Sequence, residues 1–207
     1  MGSINLKHTG SGSAIALSSD GTSLLLNGTA IGGGGGSSHA MELISSSNVT
    51  SATDTIDFTG LNSTSFKTFR LIIKGAKNAS NDNMFVQFLD TSGNVLTGNK
   101  IGCRTYRNYV GQYNVQNQNY FMMSNSVAGS VHSHDYLITV SPDNKCISLM
   151  GQQVDVPSSG TSPAYQATTS GSYLNTSAIT LGGIRLDYSY YANNFTAGKY
   201  SLYGIKE

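Results

Sequence analysis

Charge is what this chain has least of. Asp, Glu, Lys and Arg make up 11% of its 207 residues, against about a quarter in ordinary soluble proteins. The 12 basic and 11 acidic residues leave a net charge of +1, too little to draw in a nucleic-acid backbone or an anionic membrane surface. Tryptophan is absent, and there are only 3 prolines and 2 cysteines. Cys103 and Cys146 do not make a disulfide framework; they read as reduced thiols of a protein assembled in a cytosol, with a single bridge as the alternative. No apolar run approaches the roughly 20 residues that span a bilayer, so membrane insertion is not expected. The opening MGSINLKHTGSGS carries no apolar core of a signal peptide, and the stretch from Gly2 to Lys7 lacks the Ser or Thr of an N-myristoylation signal.

Chemical signatures are missing too. There is no nucleophile elbow, phosphate-binding loop, dinucleotide fingerprint or zinc-type cysteine cluster. Asp54 with Asp57, or Asp82 with Asp90, are the carboxylate pairs that glycoside cleavage would use, and their spacing does not favour it. A non-enzyme without a cofactor is expected.

What is present is Ser, Thr, Asn, 24 glycines and 12 tyrosines. Helical periodicity is nearly absent, whereas short apolar alternations recur between Gly, Asn, Asp and Ser clusters. INLKH, AIALS and SLLLNGTAI read as small strands, with Asp20-Gly21 and Asn27-Gly28 as hairpin-type turns. About thirty such residues bury too little surface to stand alone, so this piece must dock or trimerise. Five consecutive glycines, Gly32 to Gly36, follow. A run without Cβ atoms costs backbone entropy to order, so it reads as a hinge.

Beyond the glycines the alternations lengthen. SFKTFRLIIKGAK reads as a central strand. DNMFVQFLDTSGNVLT is a hairpin turning at Asp90 to Asn94, and HDYLITVSPDNKCISLMGQQVD is another turning at Pro142-Asp143-Asn144. PSSGTSPAYQATTSGSYLNTS reads as loop or edge, and AITLGGIRLDYSYY and GKYSLYGIKE as the closing strands. Roughly eight strands at this spacing predict an all-β fold, an antiparallel β-sandwich of jelly-roll type with a small N-terminal β module. The expected divisions are residues 1–31 for the module, 32–41 for the linker and 42–207 for the sandwich.

The segment CRTYRNYVGQYNVQNQNYFMM mixes Arg104, Tyr106, Arg107, Tyr109, Tyr113 and Tyr120 with Asn and Gln. Tyrosine offers a flat apolar face and a polar tip, and amides and guanidinium groups offer fixed donors and acceptors, which is the mixture a sugar needs. RLDYSYYANNF repeats it with Arg185, Tyr188, Tyr190 and Tyr191. The alternative for both is strand structure or trimer contact. His132 and His134 stand two apart, on one side of a strand, and imidazoles suit transition metals; solvated loop histidines just ahead of a strand are the default expectation. Asn-x-Ser/Thr triplets at Asn27, Asn48, Asn62, Asn78, Asn175 and Asn194 follow from composition.

Ile4 to Ile31, with LKHTGSGS, SSDGT and LLLNGT followed by a glycine run, resembles the short N-terminal module of phage structural proteins of marine and freshwater type. FKTFRLIIKG and AGKYSLYGIKE are similar to stretches of C-terminal β-sandwich domains of phage tail fibres and other virion surface proteins. The resemblance implies a virion protein assembled in the host cytoplasm, a homotrimer, held to another virion protein through residues 1–31. It implies a tail fibre or receptor-binding appendage that recognises a host-surface glycan. A capsid decoration protein is the alternative, and a stand-alone carbohydrate-binding module the second.

Overall fold

A computed structural model describes residues 41–61, 65–97, 99–106, 112–116, 120–126, 128–156, 165–188 and 194–206, together with four short strands before residue 41. Two compact units result, Met1–Ala40 and Met41–Glu207. The first holds β1 (Ile4–Leu6), β2 (Ile15–Ser19), β3 (Leu24–Leu26) and β4 (Thr29–Ala30), an antiparallel sheet in chain order. Ile4 pairs with Leu17, and Leu17 with Leu26. β3 and β4 are antiparallel neighbours on either side of Asn27-Gly28.

The second unit carries twelve strands among its described residues, not about eight: β5 (Met41–Val49), β6 (Ile56–Thr59), β7 (Thr68–Asn78), β8 (Asp82–Leu89), β9 (Asn99–Tyr106), β10 (Gln112–Gln116), β11 (Phe121–Ser126), β12 (Val131–Val140), β13 (Cys146–Val156), β14 (Tyr165–Leu174), β15 (Gly183–Tyr188) and β16 (Phe195–Ile205). They form one sheet in the order β10-β9-β14-β13-β12-β7-β16-β5 and a second in the order β11-β8-β15-β6. Four nested strand pairs account for the wiring. β5 pairs with β16, β6 with β15, β7 with β12 and β8 with β11, and the chain changes sheet between successive members. That is jelly-roll connectivity. The extra strands are two insertions, β9–β10 between β8 and β11, and β13–β14 between β12 and β15. They pair with each other through β14 and β9 and extend the larger sheet past β12.

Alternation builds the core. Phe69, Leu71 and Ile73 of β7, Tyr136, Ile138 and Val140 of β12, and Tyr200 and Leu202 of β16 face Phe58, Met84, Val86, Phe88, Phe121, Ile184 and Leu186 of the smaller sheet. Each such side chain contributes about 1.5–3 kcal/mol by leaving water. The turn between β12 and β13 forms where Pro142 to Asn144 predict it. Ser141 Oγ accepts from the amides of Lys145 and Cys146, and Asn144 adopts a left-handed φ of 57°. Asp90 likewise accepts from the amides of Ser92 and Asn94. The stretch read as loop or edge is corrected: β14 lies inside the sheet between β13 and β9, its Ala167, Thr169 and Tyr173 buried. Its Ser, Thr and Gly content hid it, because small polar residues satisfy a strand whose outer face meets water.

One irregularity bears on the site. Along β7 the inward positions are odd up to Ile73 and even from Ala76. The switch occurs at Lys74–Gly75, where one extra residue is accommodated opposite β12 and Gly75 takes φ 62°. Such a bulge re-aims every later side chain. It turns Asn78 into the interior, where only 2% of it is exposed.

Candidate functional site

The residues singled out in the sequence divide by where they fall. Arg104 and Tyr106 lie in β9 and Tyr113 in β10, with Tyr113 opposite Arg104. Arg104 is in turn opposite Thr169, and Tyr106 opposite Ala167. Arg107, Tyr109 and Tyr190 lie outside the described residues. The ring of Tyr120 packs on Phe85, centroids 3.9 Å apart. Tyr188 is 5% exposed and packs on Phe195 at 4.5 Å, within the core. Asp57 is held by both Nε and Nη2 of Arg185, at 2.8 and 2.7 Å. Asp82 and Asp90 flank opposite ends of β8, a strand whose eight residues rise roughly 3.3 Å each.

A shallow depression of about 430 Å³ lies on the larger sheet, across β12, β13 and β14. Leu137 and Met150 give it apolar surface, and Asp135, Gln152, Thr168 and Ser170 supply polar atoms. Asp135 is fixed there by Arg70, whose Nε and Nη2 donate at 2.8 and 2.6 Å. Those two hydrogen bonds hold its carboxyl below the usual carboxylate range, against a smaller opposing effect of burial. The sequence reading missed this surface, because its members come from three different strands and are unremarkable singly. The register joins it to what was singled out: Thr168 and Thr169 line the depression, and β9 places Thr105 and Arg104 beside them.

The histidines are the clearest correction. They are not solvated loop residues ahead of a strand. β12 begins at Val131, and both face the interior, His132 0% and His134 3% exposed. Asp155 on β13 is directly opposite His132, and Gln153 opposite His134. His132 Nδ1 is 2.7 Å from Asp155 Oδ1, and Nε2 is 3.1 Å from Asn78 Oδ1. Asn78 Nδ2 donates to Ser80 O at 2.5 Å, which orients its oxygen toward the imidazole. Gln153 Nε2 donates to Asp155 Oδ2 at 2.6 Å, and Tyr136 Oη donates to Gln153 Oε1 at 3.4 Å. The His134 ring stacks on Tyr136 at 5.8 Å. One potential ligand atom from each of His132, His134 and Asp155 lies within 4.8 Å of the others. A signal for Asp155 was available in the sequence: stepping outward along both strands from Val140 and Ile147 arrives at His132 and Asp155 together. Asn78 had none, since only the bulge brings it in.

Burial also bears on the glycosylation triplets, as Asn78 and Asn194 are 2% and 0% exposed. Searches against protein-family models and against curated proteins match nothing to this chain.

Proposed function

We propose that the chain is a virion surface protein, a tail fibre or receptor-binding appendage, in which the β-sandwich reads a host-surface glycan and residues 1–31 hold it to the particle. The observation that carries this reading is the extension of the jelly roll. Two insertions that the fold does not require meet as β14 and β9, so that the depression and the Arg/Tyr strand share one half of one sheet. Leu137 and Met150 offer surface to sugar C–H groups, and Gln152, Thr168 and Asp135 offer donors and acceptors to hydroxyls. The division between Ala40 and Met41, next to the glycine run, suits a domain displayed from an anchor. As a homotrimer the appendage presents three weak sites and gains by multivalency.

A second reading, a capsid decoration protein, draws on exposed apolar residues: Met150 is 61% exposed, Leu43 54%, Val156 49% and Val154 42%. Such positions suit packing against neighbours. Antibody–gold labelling of intact virions decides between them. Gold on fibres or tail tip supports the appendage; gold over the head overturns it in favour of decoration.

A further inference from the structure

We infer that His132, His134 and Asp155 form an intramolecular site for a divalent transition-metal ion of the zinc class, built into the end of the sandwich. The argument starts from the orientation of His132. Asn78 presents a carbonyl oxygen to Nε2 because its amide nitrogen is committed to Ser80 O. Nε2 therefore carries the proton and donates it. Nδ1 is left facing Asp155 Oδ1 at 2.7 Å. A nitrogen lone pair and a carboxylate oxygen at that separation repel unless something positive lies between them. A proton fills that place in one state, and a metal ion fills it in the other.

The surroundings match what a metal site requires of its outer partners. A ligating imidazole characteristically donates its second N–H to an oxygen, which fixes its tautomer and ring plane; Asn78 does this for His132. A ligating carboxylate is characteristically hydrogen-bonded through its other oxygen; Gln153 does this for Asp155. His134 brings the second imidazole from the same strand, two residues on, at a ring separation of 6.1 Å. Two imidazoles and a carboxylate are a donor set for zinc or cobalt rather than for calcium or magnesium. Ligands about 2.0–2.1 Å from a tetrahedral centre stand about 3.3 Å apart. The His132–Asp155 pair then opens by about half an ångström, while the widest spacing, now at most 4.8 Å, closes. Water takes the fourth position. The proton between Nδ1 and the carboxylate leaves as the metal enters, so loading releases it to solvent.

The test uses the full chain, unfolded with chelator and refolded with cobalt(II) alone, with zinc alone, or with chelator only, then freed of loose metal. The expected result is one cobalt per chain with the intense visible bands of a four-coordinate ion, displaced by zinc, and a higher melting temperature with zinc than with chelator. His134→Gln weakens binding by more than about 100-fold, beyond the ~10–100-fold expected for loss of an outer partner in Gln153→Ala. Wild-type chain that refolds without retaining metal, or that melts identically with zinc and with chelator, overturns the proposal. So does cobalt binding that survives in His134→Gln, since His8 and His39, the other two histidines, would then be the ligands. If His134→Gln does not fold, the extended X-ray absorption of the wild-type zinc form decides, with a two-imidazole, two-oxygen shell expected and any other shell contrary.

Discussion

Tyr136 lies across Gly151, its partner on the neighbouring strand. A Cβ at position 151 would sit 2.6 Å from Tyr136 Cδ1 and would also strike the carbonyl oxygen of Asp135. The pair joins β12, the last jelly-roll strand of the larger sheet, to β13, the first strand of the extension. The aromatic ring covers a glycine that would otherwise leave a gap. Gly151→Ala is expected to destabilise the domain by about 1–3 kcal/mol, the range for forced overpacking. Denaturant unfolding checks this, and a change below a few tenths of a kcal/mol would contradict it.

The bulge that turns Asn78 inward depends on Gly75. Its φ of 62° is unfavourable for a residue with a Cβ, although space around it is open. Gly75→Ala is therefore expected to cost about 1 kcal/mol through backbone strain alone. Because the bulge sets the direction of Asn78, the imidazole signals of His132 in NMR spectra are expected to shift.

Acid is expected to weaken the clamp on the outer sheet face. Asp135 titrates below its ordinary range because Arg70 donates to it twice. A carboxyl lowered in the folded state contributes stability above its unfolded value of 3.8, lost as pH falls through the lower folded value. Both side chains are about two-fifths exposed, at 40% and 41%, so the pair is worth at most about 1 kcal/mol. Asp135→Asn is expected to melt slightly below wild type at neutral pH, and the gap is expected to close in acid. A gap that persists at the lowest pH would rule out the ion pair as its source.

Tyrosines chosen on the same sequence grounds are expected to behave oppositely. Tyr188→Ala removes a ring buried against Phe195 and is expected to cost about 3–5 kcal/mol, as large aromatic truncations do. Tyr109→Ala with Tyr113→Ala is expected to abolish cell binding while leaving the melting temperature nearly unchanged. A large stability loss in that double variant would assign those rings to packing or a trimer seam.

Substitutions in the depression proposed as the glycan surface are expected to separate binding from folding as well. Gln152→Ala and Thr168→Ala alter residues that line it on the outer sheet face. Surface changes of this kind usually stay within about 0.5 kcal/mol. Retention on immobilised host polysaccharide is expected to fall at unchanged melting temperature, and unaltered retention would place the ligand surface elsewhere.

Local chemistry along the chain was enough to determine several elements. Alternation in TFRLIIK marked a central strand and in DYLITV the arm of a hairpin, because a period of two has one meaning on a pleated surface. Asp90 to Asn94 and Pro142 to Asn144 marked turns, because those residues satisfy backbone donors locally. The all-β class followed from the same marks. β14 was not legible, since a strand rich in Ser, Thr and Gly shows its buried face only once β13 and β9 flank it. Tyr188 could not be told from a surface tyrosine, because aromatic content is the same in a core and at a binding face. His132 and His134 were visible as a spaced pair, but their burial was not, nor was the carboxylate that meets them. That meeting depends on a register set at a turn nine residues from His132, on a bulge that reverses the facing of Asn78, and on a second sheet that closes over both. Sequence spacing specifies which side of a strand a residue takes; only the packing of strands distant in the chain decides what that side faces.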